Sequence, residues 1–560
     1  MSKVKIILAI LFLSMLPFAF NSNFSTEFLA DRYSELSVKL WGYEEFFAWD
    51  SLFGKRVENV GYPNNLGMLN NPDIFATIFI GILRPILPEA LCYNLLIWLI
   101  MLLNLSATFL LSNRWVRDVP SALLSSIIFA WSPVVLSYCI VGTITDVYHL
   151  WPYPLAIWFF LLGLEENPRH SILSGVCFGL GFILCPYNFV IFTPIAIPLL
   201  IWLYTKRRNY QQIWKNLLYL LIPAGILTVI YAVKIYQITE APESHMSSEI
   251  LEDTRHSWPF FGLQINRPDR YVTTLSDFFT YGKENVIIRE SAVRFYRSFS
   301  CPLVVIGLSL FALWKRYWLW GCIAGFFILL SMGPFLALSL EYYISYPVNI
   351  VWLAIFYLWP GTTIILEPFR YVLPAFLALS ILSAIGLSEI KHLWIKYGLI
   401  LLCGFELLFV STAPFPLHQT SAKVADIYYN LDERLPDGGI IEMPYYSQGS
   451  YRFVRKHFLN QRVHQRPIPN KIPGFLPTMY GKNPLLHALL ELETPYPVQH
   501  EKIHHPRQAI QELKDMGFVA IIIDETEYKE YKISLQVQEI LNSYLPAPYR
   551  EDSILVYRLP

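Results

Sequence analysis

Uncharged apolar stretches of membrane-crossing length recur along this chain, and they restrict its fold more than any other feature. A helix needs about 20 apolar residues to cross a bilayer, and about eleven stretches qualify as candidates. They are 4–20, 90–111, 121–141, 148–164, 171–186, 188–205, 216–234, 301–314, 317–340, 371–388 and 397–412. Two further apolar stretches, 74–87 and 347–359, are too short to cross alone and read as interfacial or re-entrant. Backbone amides find no water in hydrocarbon, so repeated spans of this kind imply an α-helical polytopic membrane protein. Composition agrees, since only 15% of the 560 residues are charged, against roughly 25% in soluble domains.

Lys and Arg orient the spans, because basic groups in short loops stay on the cytoplasmic side. Lys3/Lys5, Arg114/Arg117, Arg169, Lys206/Arg207/Arg208/Lys215, Lys315/Arg316 and Lys391/Lys396 all fall on one side of the expected helices. The N-terminus is therefore expected to be cytoplasmic, and 21–89, 142–147, 235–300, 341–370 and 413–560 extracytoplasmic. The first span follows Lys3 and Lys5 as a signal peptide would. FAFNSN offers no clear cleavage site, so an uncleaved helix is expected.

Residues 1–412 read as a transmembrane domain, with a first outer loop at 21–72 and a large one at 235–300. The tail, 413–560, reads as a small soluble α/β domain, with strands at 438–446, 518–524 and 553–559. Within it, PRQAIQELKDM (506–516) opens on Pro and is stopped by Gly517, which marks a helix. The first loop holds an amphipathic helical pattern, DRYSELSVKLWGYEEFF, with Asp31 at its cap position. A net charge of zero gives no footprint for nucleic acid. The seven cysteines lie in or beside apolar runs without a CxxC, as core thiols do.

Several motifs occur in order along most of the chain. Asp31 follows the first span, and YPNNLGM (62–68) comes about thirty residues later. YNLLIWLIMLLNLSATFLLSNRW (93–115), FAWSP (129–133), LLSMGP (329–334), ILEPFRY (365–371) and LNQRVHQRPIPNKIPGF (459–475) follow. In this order the chain resembles the GT-C class of polytopic membrane glycosyltransferases, more closely the bacterial branch with a C-terminal extracytoplasmic domain. The resemblance implies a GT-C-like helical bundle in the bacterial plasma (inner) membrane, with its cleft on the outer face. It also implies a sugar donor carried on polyprenyl phosphate and an acceptor hydroxyl yet to be identified. The chain departs from the family pattern at three places: Ala30 precedes Asp31 where Gly is usual, Thr143 follows Gly142 where His is frequent, and Leu366 stands at the first Arg position of an Arg-x-Pro-x-Arg pattern whose Pro368 and Arg370 are kept.

Such a transfer needs a base for the acceptor hydroxyl and a cation for the leaving phosphate. Under the resemblance Asp31 is the catalytic base. Arg370, whose planar fork matches phosphate oxygens, binds the lipid phosphate. Glu367 pairs with Arg370 one turn away, and Asp146, in the short loop TITDVYH, adds a second carboxylate. No nucleotide motif is present and no cofactor is required; a divalent cation is compatible, but no DxD pair indicates one, and no metal site is assigned. Two other readings fit a polytopic chain with a headgroup-binding Arg: a transporter or lipid-handling component of polysaccharide export, and a non-catalytic scaffold of the same fold.

Overall fold

The computed structural model describes residues 3–31, 34–48, 51–57, 59–60, 67–71, 73–206, 210–239, 273–281, 299–336, 348–359, 368–445, 452–470, 482–493, 505–528 and 531–560. They pack into two compact units. The first gathers the described residues within 3–30, 73–234 and 273–419, and the second those within 31–71 and 420–560.

The first unit is a helical bundle. Among the described residues six helices are long and apolar enough to span a membrane: Glu89–Val116, Thr145–Glu165, Pro186–Lys206, Tyr210–Lys234, Pro368–Ser388 and Leu393–Val410. Val119–Ala130 and Val135–Val141 make a seventh if counted together, but they meet at a 52° bend. The bend falls in the FAWSP motif, where Pro133 supplies no N–H to the helix ladder. Ile74–Leu83, His170–Leu184, Leu303–Trp314 and Trp318–Ser331 are apolar but shorter. The expected helices are thus found, while the count of about eleven full crossings is met only in part. Leu303–Trp314, for example, has 12 residues, about 18 Å of helix against a hydrocarbon core of about 30 Å.

Polar but uncharged contacts lock this bundle. Ser112 donates to Ser125 at 2.6 Å, and Ser125 to Ser380 at 3.0 Å, a relay that joins three helices. Ser309 and Ser383 lie 3.0 Å apart and tie a fourth helix, Leu303–Trp314, to the one that carries Ser380. Small side chains of this kind let helix backbones approach in lipid, where the hydrophobic effect supplies no drive between helices. Gly386 carries the tightest such approach to the Leu303–Trp314 helix. The Pro368–Ser388 helix is consequently buried along nearly its whole length. At one end of the bundle Asp118 caps the Val119–Ala130 helix, accepting from the Ser121 amide at 3.3 Å, and Lys396 Nζ closes on the same carboxylate at 2.8 Å.

The second unit is a small α/β fold. Strands β1 (Gly54–Val57) and β2 (Gly67–Asn70) form an antiparallel pair. The main sheet uses β3 (Gly439–Met443), β4 (Phe518–Asp524), β5 (Tyr549–Glu551) and β6 (Ile554–Arg558), in the order β3-β4-β6-β5. β3 and β4 are parallel, while the remaining pairs are antiparallel. The expected strands and the Pro506–Asp515 helix are present, and β5 adds a short edge strand. β3 and β4 are apolar throughout except for Glu442 and Asp524, as suits strands covered on both faces.

The described residues within 31–71 belong to this unit. Their helix runs Leu36–Glu45, and Trp41 on it is fully buried, its indole N–H donating to Gln461 Oε1 at 2.8 Å and its ring meeting Phe458 at 5.5 Å. Arg462 Nε reaches Glu44 at 2.8 Å on the same face. A parallel bridge joins Val60 to Ile468. The helix starts later than its sequence pattern suggests: the cap position falls on Glu35, so the cap role expected for Asp31 is not the one it has.

Candidate functional site

Arg370 sits in a tight turn, Pro368–Tyr371, that opens the most buried helix of the first unit. Its neighbours fix the turn. Phe369 is buried edge-on to Tyr138 at 5.3 Å and beside Phe299 at 5.8 Å, and Tyr371 is buried near Phe327. Arg370 between them is half-buried. Its guanidinium lies over two tyrosine rings, 5.5 Å from the centroid of Tyr138 and 5.0 Å from that of Tyr187. Rings on which a guanidinium rests hold its plane and lower the ordering it loses on binding an anion.

Asp146 lies on Thr145–Tyr148, the opening turn of the Thr145–Glu165 span, ahead of its main piece Pro152–Glu165. Two amides pin this turn: Asn104 donates to the Tyr148 carbonyl at 3.0 Å, and Asn188 to the Val147 carbonyl at 2.8 Å. Just before it, Thr143 is buried with φ at +58°. A β-branched residue there is strained by about 1–2 kcal/mol, and such positions cluster at functional sites. Asp146 Oδ2 is 4.0 Å from Cys185 Sγ. Cys185, which Asp146 approaches, and Tyr187, on which Arg370 rests, are two residues apart, so the structure brings two of the expected residues, far apart in sequence, to the same short segment.

Two further residues meet in this region: Asp73, which the sequence reading did not single out, and His149, three residues after Asp146. Asp73 is fully buried, caps the Ile74–Leu83 helix by accepting from the Ala76 amide at 2.9 Å, and places Oδ1 3.5 Å from His149 Nε2. His149 is itself fully buried, with Phe75 edge-on at 5.1 Å. Glu367 lies outside the described residues. Asp31 belongs to the second unit, is half-buried, and accepts through its carbonyl from the Ser34 amide at 3.0 Å.

The second unit holds a buried polar cluster of its own. Glu442, 2% exposed, receives Tyr428 Oη at 3.0 Å and Asn460 Nδ2 at 2.6 Å, with His464 Nε2 at 3.5 Å. His464 Nδ1 accepts from the Arg466 amide at 3.0 Å, which puts the imidazole proton on Nε2, toward Glu442. Lys456 Nζ bridges Asp524 at 2.7 Å and Glu527 at 2.6 Å. Burial pushes the Glu442 carboxyl up, but His457, His464 and Asn460 outweigh it and hold it below its ordinary 4.5. Burial drives the His457 imidazole below its ordinary 6.5, against the pull of Glu442. Burial works against the charge of Lys456 too, yet its two carboxylates keep it above its ordinary 10.5.

These shifts set a pH window. Glu442 and His457 both bind protons more readily in the unfolded chain, so their stabilisation is present at neutral pH and is lost as pH falls, His457 first below 6.5 and Glu442 below 4.5. The Lys456 contribution is complete below 10.5 and is lost only above it. The second unit is therefore expected to be less stable at pH 5 than at pH 7.5. Hydrogen exchange of β3 and β4 in the full chain checks this; protection that is equal or higher at the acid value contradicts it.

No protein-family model matches the sequence, and no curated protein matches it. Solved structures do. The arabinofuranosyltransferase AftD from mycobacteria matches over 100% of this chain with TM-score 0.55 at 11% identity. The chain covers 40% of AftD, so it spans well under half the length of that protein. ArnT from Cupriavidus metallidurans in its apo state matches over 100% of this chain and 97% of its own length, with TM-score 0.50 at 12% identity. The fold is that of the GT-C-type membrane glycosyltransferases, a multi-pass helical bundle joined to a small sheet domain.

Proposed function

We propose that this chain is a membrane glycosyltransferase that moves a sugar from a polyprenyl-phosphate carrier to an acceptor hydroxyl on the extracytoplasmic face of a bacterial inner membrane. The arrangement around Arg370 carries the reading. A guanidinium resting on Tyr138 and Tyr187, with the Asp146 carboxylate 4.0 Å from Cys185 two residues before Tyr187, sits in a bundle of glycosyltransferase fold. A fixed, permanently charged fork in such a bundle suits a lipid-borne phosphate.

The chemistry follows from those roles. Asp31 takes the proton from the acceptor hydroxyl as its oxygen attacks the anomeric carbon. The bond from that carbon to the phosphate oxygen breaks, and its electron pair leaves with the polyprenyl phosphate. Arg370 stabilises the charge that gathers on the leaving phosphate. Asp146 and Glu367 complete the substrate-binding set. The polyprenyl tail stays in the lipid, where the apolar bundle surface meets it, so no nucleotide site is required.

Replacing Asp31 with Asn keeps the size of the side chain and removes the base. Transfer in membranes supplied with a polyprenyl-phosphate sugar is expected to fall by about 10²–10⁴-fold at unchanged expression. Full activity in that variant, measured as labelled glycan or glycolipid product, removes Asp31 from this role.

A further inference from the structure

Asp31 is carried by a short non-helical segment, 24–30, whose last three residues, Phe28, Leu29 and Ala30, are buried. Buried backbone groups must find partners away from water. The segment has only a two-residue strand, Phe28–Leu29, with which to do so. One side chain supplies much of the rest. Asn94, fully buried on the Glu89–Val116 helix, accepts from the Leu29 amide through Oδ1 at 2.9 Å and donates through Nδ2 to the carbonyls of Phe24 and Glu27, each at 2.7 Å. The partners dictate how the amide is turned, since an N–H can face only Oδ1 and the two carbonyls only Nδ2. Aspartate at this place has no hydrogen to give the carbonyls, and leucine has neither donor nor acceptor.

Its surroundings make the fixture firm. On the same helix the Tyr93 ring meets that of Phe28 at 5.7 Å, and Trp98, one turn beyond Asn94, donates through Nε1 to Ser14 Oγ of the first helix at 3.0 Å. Asn21 Nδ2 reaches the Leu417 carbonyl at 2.7 Å, and the Ala30 amide donates to the His418 carbonyl at 3.0 Å. The main chain is thus held up to the residue that precedes Asp31. A proton acceptor displaced by about 1 Å from its working place can cost about 10² in rate, so what fixes that residue's backbone bears on the chemistry.

We propose that Asn94 is a positioning residue for the transfer reaction: its three hydrogen bonds to 24–29 set where the Asp31 carboxylate is delivered, while Asn94 itself stays buried in the bundle. This deepens the transferase reading and rests on Asp31 being the base.

Asn94→Leu keeps the approximate volume and removes all three bonds. In membranes supplied with a polyprenyl-phosphate sugar, the rate at saturating donor is expected to fall by about 10–100-fold. The half-saturating donor concentration is expected to change by less than about twofold, because Arg370 holds the donor phosphate. Amide exchange across 24–30, read on the full chain in detergent, is expected to speed up by about tenfold. Asn94→Ser, which keeps one donor and one acceptor, takes its place if the Leu chain is not recovered as monodisperse protein. Combined with Asp31→Asn, the Asn94 substitution is expected to cost less than about twofold more, since the group it positions is already gone. A full rate, unchanged exchange, a rise in half-saturation that accounts for the whole loss, or the same fold-loss with and without Asp31 overturns the proposal. The two readings fail differently. Asp31→Asn inactive beside a fully active Asn94 variant removes the positioning role alone, whereas full activity of Asp31→Asn sinks the base and the role of Asn94 with it.

Discussion

Exchanging Arg370 for Met should lower transfer from a polyprenyl-phosphate sugar by about 10²–10³-fold, the loss typical when one preorganised donor to a developing charge is removed. The effect should fall mainly on the rate at saturating donor, because charge on the phosphate grows as its bond to the sugar breaks. Arg370→Lys should recover only part of the loss. An ammonium keeps the charge, but it has neither the planar fork nor the face that rests on Tyr138 and Tyr187. The checking measurement is a rate series in membranes at several donor concentrations, with protein level normalised. A Met variant with unaltered rate and unaltered half-saturation would mean that Arg370 only anchors its helix at the interface, a common duty for such residues.

The second large effect concerns folding. A methyl group at Gly386 would lie 2.2 Å from the Leu308 carbonyl oxygen and 3.0 Å from its carbon, both main-chain atoms that cannot swing aside. Gly386→Val must therefore push the Pro368–Ser388 and Leu303–Trp314 helices apart, and with them the Ser309–Ser383 contact at 3.0 Å. A destabilisation of about 3 kcal/mol or more is expected, at the upper end for overpacking. The readout is the thermal midpoint and monodisperse yield in detergent. Gly325 supplies the contrast: nothing lies within 4 Å of a methyl there, so Gly325→Ala should be neutral or stabilise by about 0.5–1 kcal/mol through helix propensity. Equal behaviour of the two variants would show that the close helix contact at Gly386 does not matter.

The bundle was readable because hydrocarbon leaves a chain few options, and a run of about 20 apolar residues announces itself. What hydropathy did not carry was where a run breaks. Stretch 121–141 looks continuous, yet its helix turns by 52° in the FAWSP motif. Strands β3 and β4 were readable for a related reason, since short apolar runs that start at a Gly, Gly439 and Gly517, and end at an acid, Glu442 and Asp524, fit no other element well. The helix at Leu36–Glu45 was placed too early, because the polar residues before it fit a cap as well as a loop.

Residues of the candidate site were legible where charge stood out against an apolar background. Arg370 and Asp146 are of that kind. Tyr138 and Tyr187 are not, because a tyrosine beside an apolar run has the look of an interfacial anchor; only the folded chain brings both rings to one guanidinium. Asp73 left a faint trace, an acid just ahead of an apolar run, which is how a helix cap reads. Its approach to His149 at 3.5 Å is a tertiary fact with no local signature.

The partnership between Trp41 and Gln461 bridges 420 positions of chain. At a ribosomal pace of about 5–20 residues per second, the early partner waits roughly 20–80 seconds for the late one to be made. During that interval an indole and the helix that carries it stand without the surface that finally covers them. Biogenesis of this molecule thus contains an obligatory vulnerable period, in which a chaperone or a protease can reach the nascent segment before its own tail does.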